Sequence, residues 1–135
     1  MSTKIFLAAT IVLLAPFQTR AAEQLVPTEL WVTGDDGLTQ RFAQSLRASL
    51  AKSKVLREST ANSNSGLALT IPRNVYWQDV NGNTNFEYVV IFTDKSSRYL
   101  GVGIGPCWEK GMGGCATTVI EAAERAWAQR PSNGA

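Results

Sequence analysis

Leu38, Phe42, Leu46 and Leu50 recur at every fourth residue, and from Leu67 onward the apolar period drops to two. That switch constrains the chain more than any other feature, because it calls for one amphipathic helix followed by a run of strands. Ala43 lies beside the helical stripe, while Gln40, Arg41, Gln44 and Arg47 occupy the opposite side. Asp35 and Asp36 precede the stripe and offer an N-cap carboxylate to the orphan amides of a first turn. The helix is therefore expected to run from there to Lys54.

Strand patterns surround it. Residues 29–33 (Glu-Leu-Trp-Val-Thr) read as a short strand before the helix, and residues 55–58 can add another after it. Leu67, Leu69 and Ile71 share one face of a further strand until Pro72 interrupts it. Residues 75–80 and 85–94 flank Asn81-Gly82-Asn83, and Asn-Gly between such runs predicts a hairpin because both residues tolerate positive φ. In the second arm Phe86, Tyr88, Val90 and Phe92 line one face, and Val89 and Ile91 make the other partly apolar. That strand belongs in the middle of the sheet. Ser96 and Ser97 turn the chain into residues 98–104, the last strand. A final helix is expected over residues 116–129, with Val119, Ile120, Ala123 and Trp127 at helical spacing and Glu121 paired with Arg125 on the outer side.

The order β-α-β-β-β-β-α predicts an α+β domain, a two-layer sandwich in which an antiparallel sheet of about four to five strands carries two helices on one face. In element order this resembles small periplasmic domains of the TolB amino-terminal or CsgG-like kind. The resemblance matches no sequence motif, so it implies a fold and not an activity. Residues 23–130 are enough for one domain with one core. Apolar content of 44% with 18% charged residues suits a globular chain. The polar run 59–65 is too short to separate domains, and residues 131–135 read as a flexible tail.

Residues 1–22 read as a secretory signal peptide. Lys4 closes a short basic start, residues 5–14 are apolar except for Thr10, and Thr19-Arg20-Ala21 follows Pro16 with small residues at an A-x-A-like site. The apolar run is shorter than the roughly 20 residues that span a bilayer, and no later segment reaches that length. The expected location is the periplasm or the exterior, with no membrane insertion after cleavage. No cysteine follows the run to mark a lipoprotein. Without Lys4 and Arg20 the 13 basic residues fall to 11, matching the 11 acidic ones. A neutral balance gives no support for a nucleic-acid partner. Lys52, Lys54 and Arg57 cluster where the first helix ends, where they complement its dipole.

Absent residue types narrow the chemistry. The chain has no histidine, which excludes Ser-His-Asp and Cys-His catalysis and the His-bearing zinc sites of hydrolases. Cys107 and Cys115 in an exported chain read as one disulfide; their seven intervening residues do not make a redox motif. Cys107, Met112 and Cys115 would suit Cu(I), but joined thiols cannot ligate it, so neither metal nor cofactor is expected. Asp35, Asp36, Asp79, Glu87 and Asp94 are available to a carboxylate-dependent hydrolase of envelope glycans. Asp35 and Asp36 are already explained as a cap, and Asp79 and Glu87 as charges protecting strand edges. The protein is not expected to be an enzyme.

Binding remains. Residues 105–115 (Gly-Pro-Cys-Trp-Glu-Lys-Gly-Met-Gly-Gly-Cys) read as a glycine-rich loop clamped between the last strand and the last helix. In an accessory or inhibitor-like module docking on another envelope or secreted protein, Trp108 and Met112 are the apolar anchors, and Glu109 and Lys110 set orientation. The same residues have a structural reading, with Trp108 folded over the core and Met112 filling a gap. The alternative function is a small-ligand or anion binder, using the amides of Gly111, Gly113 and Gly114 at the helix start together with Trp31, Tyr76 and Trp77. Tyr76 and Trp77 point to opposite faces of one strand, so one of them lies on the open face of the sheet. There it can stack a ligand or stabilise the hairpin through cross-strand contacts.

Overall fold

Asp36 caps the first helix: its Oδ1 accepts the Thr39 N–H at 2.7 Å, and helix α1 spans Gly37–Lys52. A computed structural model describes residues 24–59 and 66–132. The leader read in residues 1–22, most of the polar run 59–65 and the end of the tail lie outside the described residues. Strand β1 (Val26–Val32) precedes α1. After it come β2 (Leu56–Glu58), β3 (Leu67–Ile71), β4 (Tyr76–Val80), β5 (Asn83–Asp94), β6 (Tyr99–Trp108), a 3₁₀ turn (Glu109–Gly111) and helix α2 (Met112–Ala128). α1 ends where Ser53 Oγ accepts the amides of Val55 and Leu56, at 3.1 and 2.9 Å, and donates to Glu124 Oε1 on α2 at 2.8 Å.

The two-helix, two-layer arrangement is as expected, but the sheet is mixed. Strand β1 lies between β2 and β3 and runs parallel to both. Strand β5 is antiparallel to β3, β4 and β6. The sheet therefore has six strands and is not antiparallel throughout. The cause is the strand–helix–strand connection: α1 carries the chain back along the sheet, so the strands after it start from the same end as β1. At 12 residues, β5 is long enough to pair along one edge first with β4 and then with β3. β6 follows its other edge.

The turns keep to their sequence signals. Asn81 and Gly82 take φ of 52° and 79° between β4 and β5. Between β5 and β6 the Asp94 carboxylate accepts the amides of Ser96 and Arg98 and the Arg98 Nε. Those hydrogen bonds, the Arg98 amide foremost, hold Asp94 below the usual carboxylate range.

One core lies between the helices and the sheet. Leu67, Leu69 and Ile71 of β3 and Phe86, Tyr88, Val90 and Phe92 of β5 are buried against Leu38, Phe42, Leu46 and Leu50 of α1 and Ala116, Val119, Ile120 and Ala123 of α2. Phe42 sits 5.4 Å from Phe86 and 4.9 Å from Tyr88, centroid to centroid. β6 presents Gly101, Gly103 and Gly105 to this side, opposite Phe92, Val90 and Tyr88. A Cβ on Gly103 would come within 3.3 Å of Val119 Cγ2, so α2 can lie close on β6 only because the strand is small there.

Candidate interaction surface

The segment expected to be a loop is almost entirely regular structure. Strand β6 continues through Pro106 and Cys107 to Trp108, three residues make the 3₁₀ turn, and α2 begins at Met112. The Cys107–Cys115 disulfide joins the end of a strand to the first turn of a helix, with Cα atoms 6.2 Å apart. Met112 is 8% exposed and belongs to the core, which removes it from any contact surface. The early helix start explains this. Met112, Ala116, Val119 and Ala123 form one helical stripe, which Gly113 and Gly114 had disguised as a loop. Those two glycines have open space where a Cβ would go. Gly113→Ala and Gly114→Ala are each expected to raise the unfolding free energy by about 0.5 kcal/mol in urea titrations, through better helix propensity alone.

Trp108 is 48% exposed at the end of β6. It stands opposite Asn85, on the sheet face away from the helices. Glu109 Oε1 accepts from Arg41 Nη2 at 2.9 Å, and both side chains are well exposed, so the pair contributes only about 0.2–1 kcal/mol. Lys110 is exposed beside them. Trp77, read with Tyr76 as one of two alternatives for the open face, pairs with Phe86 and so lies on the helix side. It is 52% exposed and borders a depression of about 310 Å³ with Leu38, Arg41 and Glu109. One end of the sheet thus carries an exposed tryptophan on each face, and Cys107 of the disulfide lies on the helix side, in the row of Phe86 and Trp77.

Tyr76 is the one that lies on the open face. The pairing register places Trp31, Thr70, Ile91 and Val102 in one row across that face, Val89 and Ile104 in the next, and Tyr76, Glu87 and Pro106 in the one after. Trp31, Tyr76, Tyr99 and Ile104 are exposed by 52%, 69%, 65% and 65%. A sheet face turned to water ordinarily carries polar side chains. This one carries aromatic and branched ones, and both helices lie on the other side of the sheet. The sequence held a signal for it: glycines at 101, 103 and 105 mark the helix side of β6, so Val102, Ile104, Pro106 and Trp108 must share the other. Two depressions mark the face. One, of about 440 Å³, includes Arg73, Tyr76, Glu87, Val89, Ile104 and Pro106 and reaches Val75, Tyr88 and Gly105 of the helix side. The second, of about 450 Å³, includes Glu29, Trp31, Thr70, Thr93 and Lys95.

The candidate catalytic carboxylates have structural work. Asp36 caps α1, Asp35 accepts from Asn74 Nδ2 at 3.2 Å, Asp79 accepts from Thr84 Oγ1 at 2.9 Å, and Asp94 closes its turn. Among the described residues, Glu87 alone of the five has no such contact. Among the described residues, no group of three or more His, Cys, Asp or Glu could hold a metal ion, and no helix is long and apolar enough to cross a membrane.

No family model and no curated protein matches the chain. Among solved structures it is similar to TolB from Acinetobacter baumannii, with a TM-score of 0.53 at 13% identity over 82% of this chain. The chain spans 30% of the length of TolB. That likeness shows a shared fold. PelC from Paraburkholderia phytofirmans, a dodecamer, superposes with a TM-score of 0.47 at 14% identity, covering 78% of this chain and 89% of PelC. A minor lipoprotein from Acinetobacter baumannii gives 0.36 at 14% identity over 75% of this chain and 89% of its own. At those scores the last two superpositions are too loose to bear on the fold.

Proposed function

We propose that this chain is an exported, non-enzymatic binding module that docks on another envelope protein through the stapled corner at Trp108. The observation that carries this reading is the exposure of Trp108 on a rigid strand end. A half-exposed tryptophan held by a ladder on one side and next to a disulfide-bonded residue loses little freedom when it is buried by a partner. Trp77 on the reverse side of the same end, Lys110 and the Arg41–Glu109 pair supply a second anchor and a charged rim. Export rests on the leader pattern in residues 1–22, and the disulfide fits an oxidising compartment.

Capture from an envelope extract by the oxidised protein, run beside Trp108→Ala, tests the reading. The partner's affinity should fall by roughly 10-fold or more with Trp108→Ala, the range of an interface hot spot, while the circular dichroism spectrum stays unchanged. Equal capture by both proteins, or none by either, would refute docking at this corner.

A further inference from the structure

Strand β5 changes neighbours along one edge and leaves a gap between them. Its pairing with β4 stops at Glu87, opposite Tyr76, and its pairing with β3 starts at Ile91, opposite Thr70. Val89 lies in the gap. Across the two-residue Asn81-Gly82 turn, Val80 and Asn83 are the hydrogen-bonded pair that closes the hairpin. Main-chain direction alternates along a strand, so Asn83, Asn85, Glu87, Val89 and Ile91 all turn their N–H and C=O to this edge. The Asp94 amide fits the same parity, because it donates the other way, to the Arg98 carbonyl at 3.0 Å across the turn into β6. Two residues beyond Thr70, the β3 ladder would bring Pro72 opposite Val89, and proline has no N–H to donate. Among the described residues no loop or side chain takes up the Val89 N–H or C=O instead.

We infer that the depression at this gap is a binding site for a small apolar zwitterion, an α-amino acid or a short peptide with free termini. Val89 lines it together with Arg73, Tyr76, Glu87, Ile104 and Pro106, and its volume is about 440 Å³. Ligand pockets span about 300–1,000 Å³. Arg73 and Glu87 are both exposed, and among the described residues neither takes part in an ion pair or a side-chain hydrogen bond. The polar groups sort by the ligand chemistry each can meet. Arg73 and the Val89 N–H are donors suited to a carboxylate, while Glu87 and the Val89 C=O are acceptors suited to an ammonium. Tyr76, Ile104 and Pro106 offer apolar contact to the body that joins the two. A phosphate would lie beside the Glu87 carboxylate, and a simple cation beside the Arg73 guanidinium, each against like charge. A neutral sugar would use neither charge. A zwitterion satisfies all of these groups together.

Trp108 is not among the walls of this depression, so the two sites are testable apart. Isotope-labelled oxidised protein is titrated with L-phenylalanine, and separately with L-leucyl-L-leucine, while amide NMR shifts are followed. The two arms separate a free amino acid from a peptide. At least one of them should move the amide signals of Arg73, Glu87 and Val89, with a Kd of about 1 mM or below. N-acetyl-L-leucinamide, which keeps the apolar body without the charges, should leave those signals in place. Arg73→Gln and Glu87→Gln, both at exposed positions, should each weaken binding by about 10-fold or more, the scale of a lost charge-assisted hydrogen bond. Trp108→Ala should bind as the wild type does. No shift with either probe up to about 10 mM, an equal response to the uncharged control, or undiminished binding in either glutamine variant would each overturn the site. Binding lost with Trp108→Ala would overturn it as well and move the ligand to the corner.

Discussion

Phe42→Ala should lower the unfolding free energy by about 3–5 kcal/mol, the range for truncating a buried phenylalanine. Phe42 is fully buried, and it is the ring through which α1 meets Phe86 and Tyr88. Its removal takes away the apolar area of the side chain and leaves a void bounded by two strand aromatics and the helix itself. The neighbours cannot close that void. Phe86 and Tyr88 lie on a strand held by pairing to both β4 and β6, and Ala43 and Leu46 are fixed by the helix. Urea unfolding monitored by tryptophan fluorescence would give the difference. A loss under about 1.5 kcal/mol would mean that α1 can slide to refill the space, and that the helix is less firmly registered on the sheet than the ring geometry indicates.

The second large effect is expected at the disulfide. Replacing Cys107 and Cys115 together by alanine should lower the unfolding free energy by about 2.5 kcal/mol through restored freedom of the unfolded chain, and Tm by roughly 10 °C. Calorimetry on the double variant beside the wild type measures both. The effect should also be local. α2 has Gly111 at its N-cap, with no side-chain cap, and carries Gly113 and Gly114 in its first turn, so that turn has poor intrinsic helicity. Met112 in the core and the Cys115 link hold it in place. Amide hydrogen exchange over residues 112–116 should therefore quicken more than exchange in the second half of α2. Uniform quickening along the helix would show that the bridge acts on the unfolded state alone.

These two sites mark what the sequence makes legible and what it hides. Phe42, Phe86 and Tyr88 follow from periods of four and two, because each period assigns a side chain to a face through local geometry alone. Asn81-Gly82 and Asp36 are equally local, since one turn and one cap decide their roles. The parallel pairing of β1 with β3 is not local. It depends on where α1 returns the chain, and the short Leu56–Glu58 strand that follows the helix gives little warning of a strand–helix–strand unit. The boundary between β6 and α2 is hidden for a different reason. Gly111, Gly113 and Gly114 carry the strongest turn signal in the chain, yet packing of Met112 and the disulfide at Cys115 outweigh it. For the candidate site, the sequence left open whether Trp108 and Met112 face water or the core: Trp108 is half exposed and Met112 fills the core, the second because the helix starts four residues earlier than its pattern indicates. The apolar open face needed only the parity of the β6 glycines, but its lack of a covering layer depends on both helices choosing the other side.

The contact of Phe42 with Phe86 and Tyr88 also sets the order in which the protein can be assembled. Helix α1 is made early in the chain, but the strand that covers its apolar stripe is made late. During synthesis, and during any passage across a membrane, Leu38, Phe42, Leu46 and Leu50 stay exposed until β5 emerges. The covering of that stripe is complete only once α2, the last element made, has packed beside it as well.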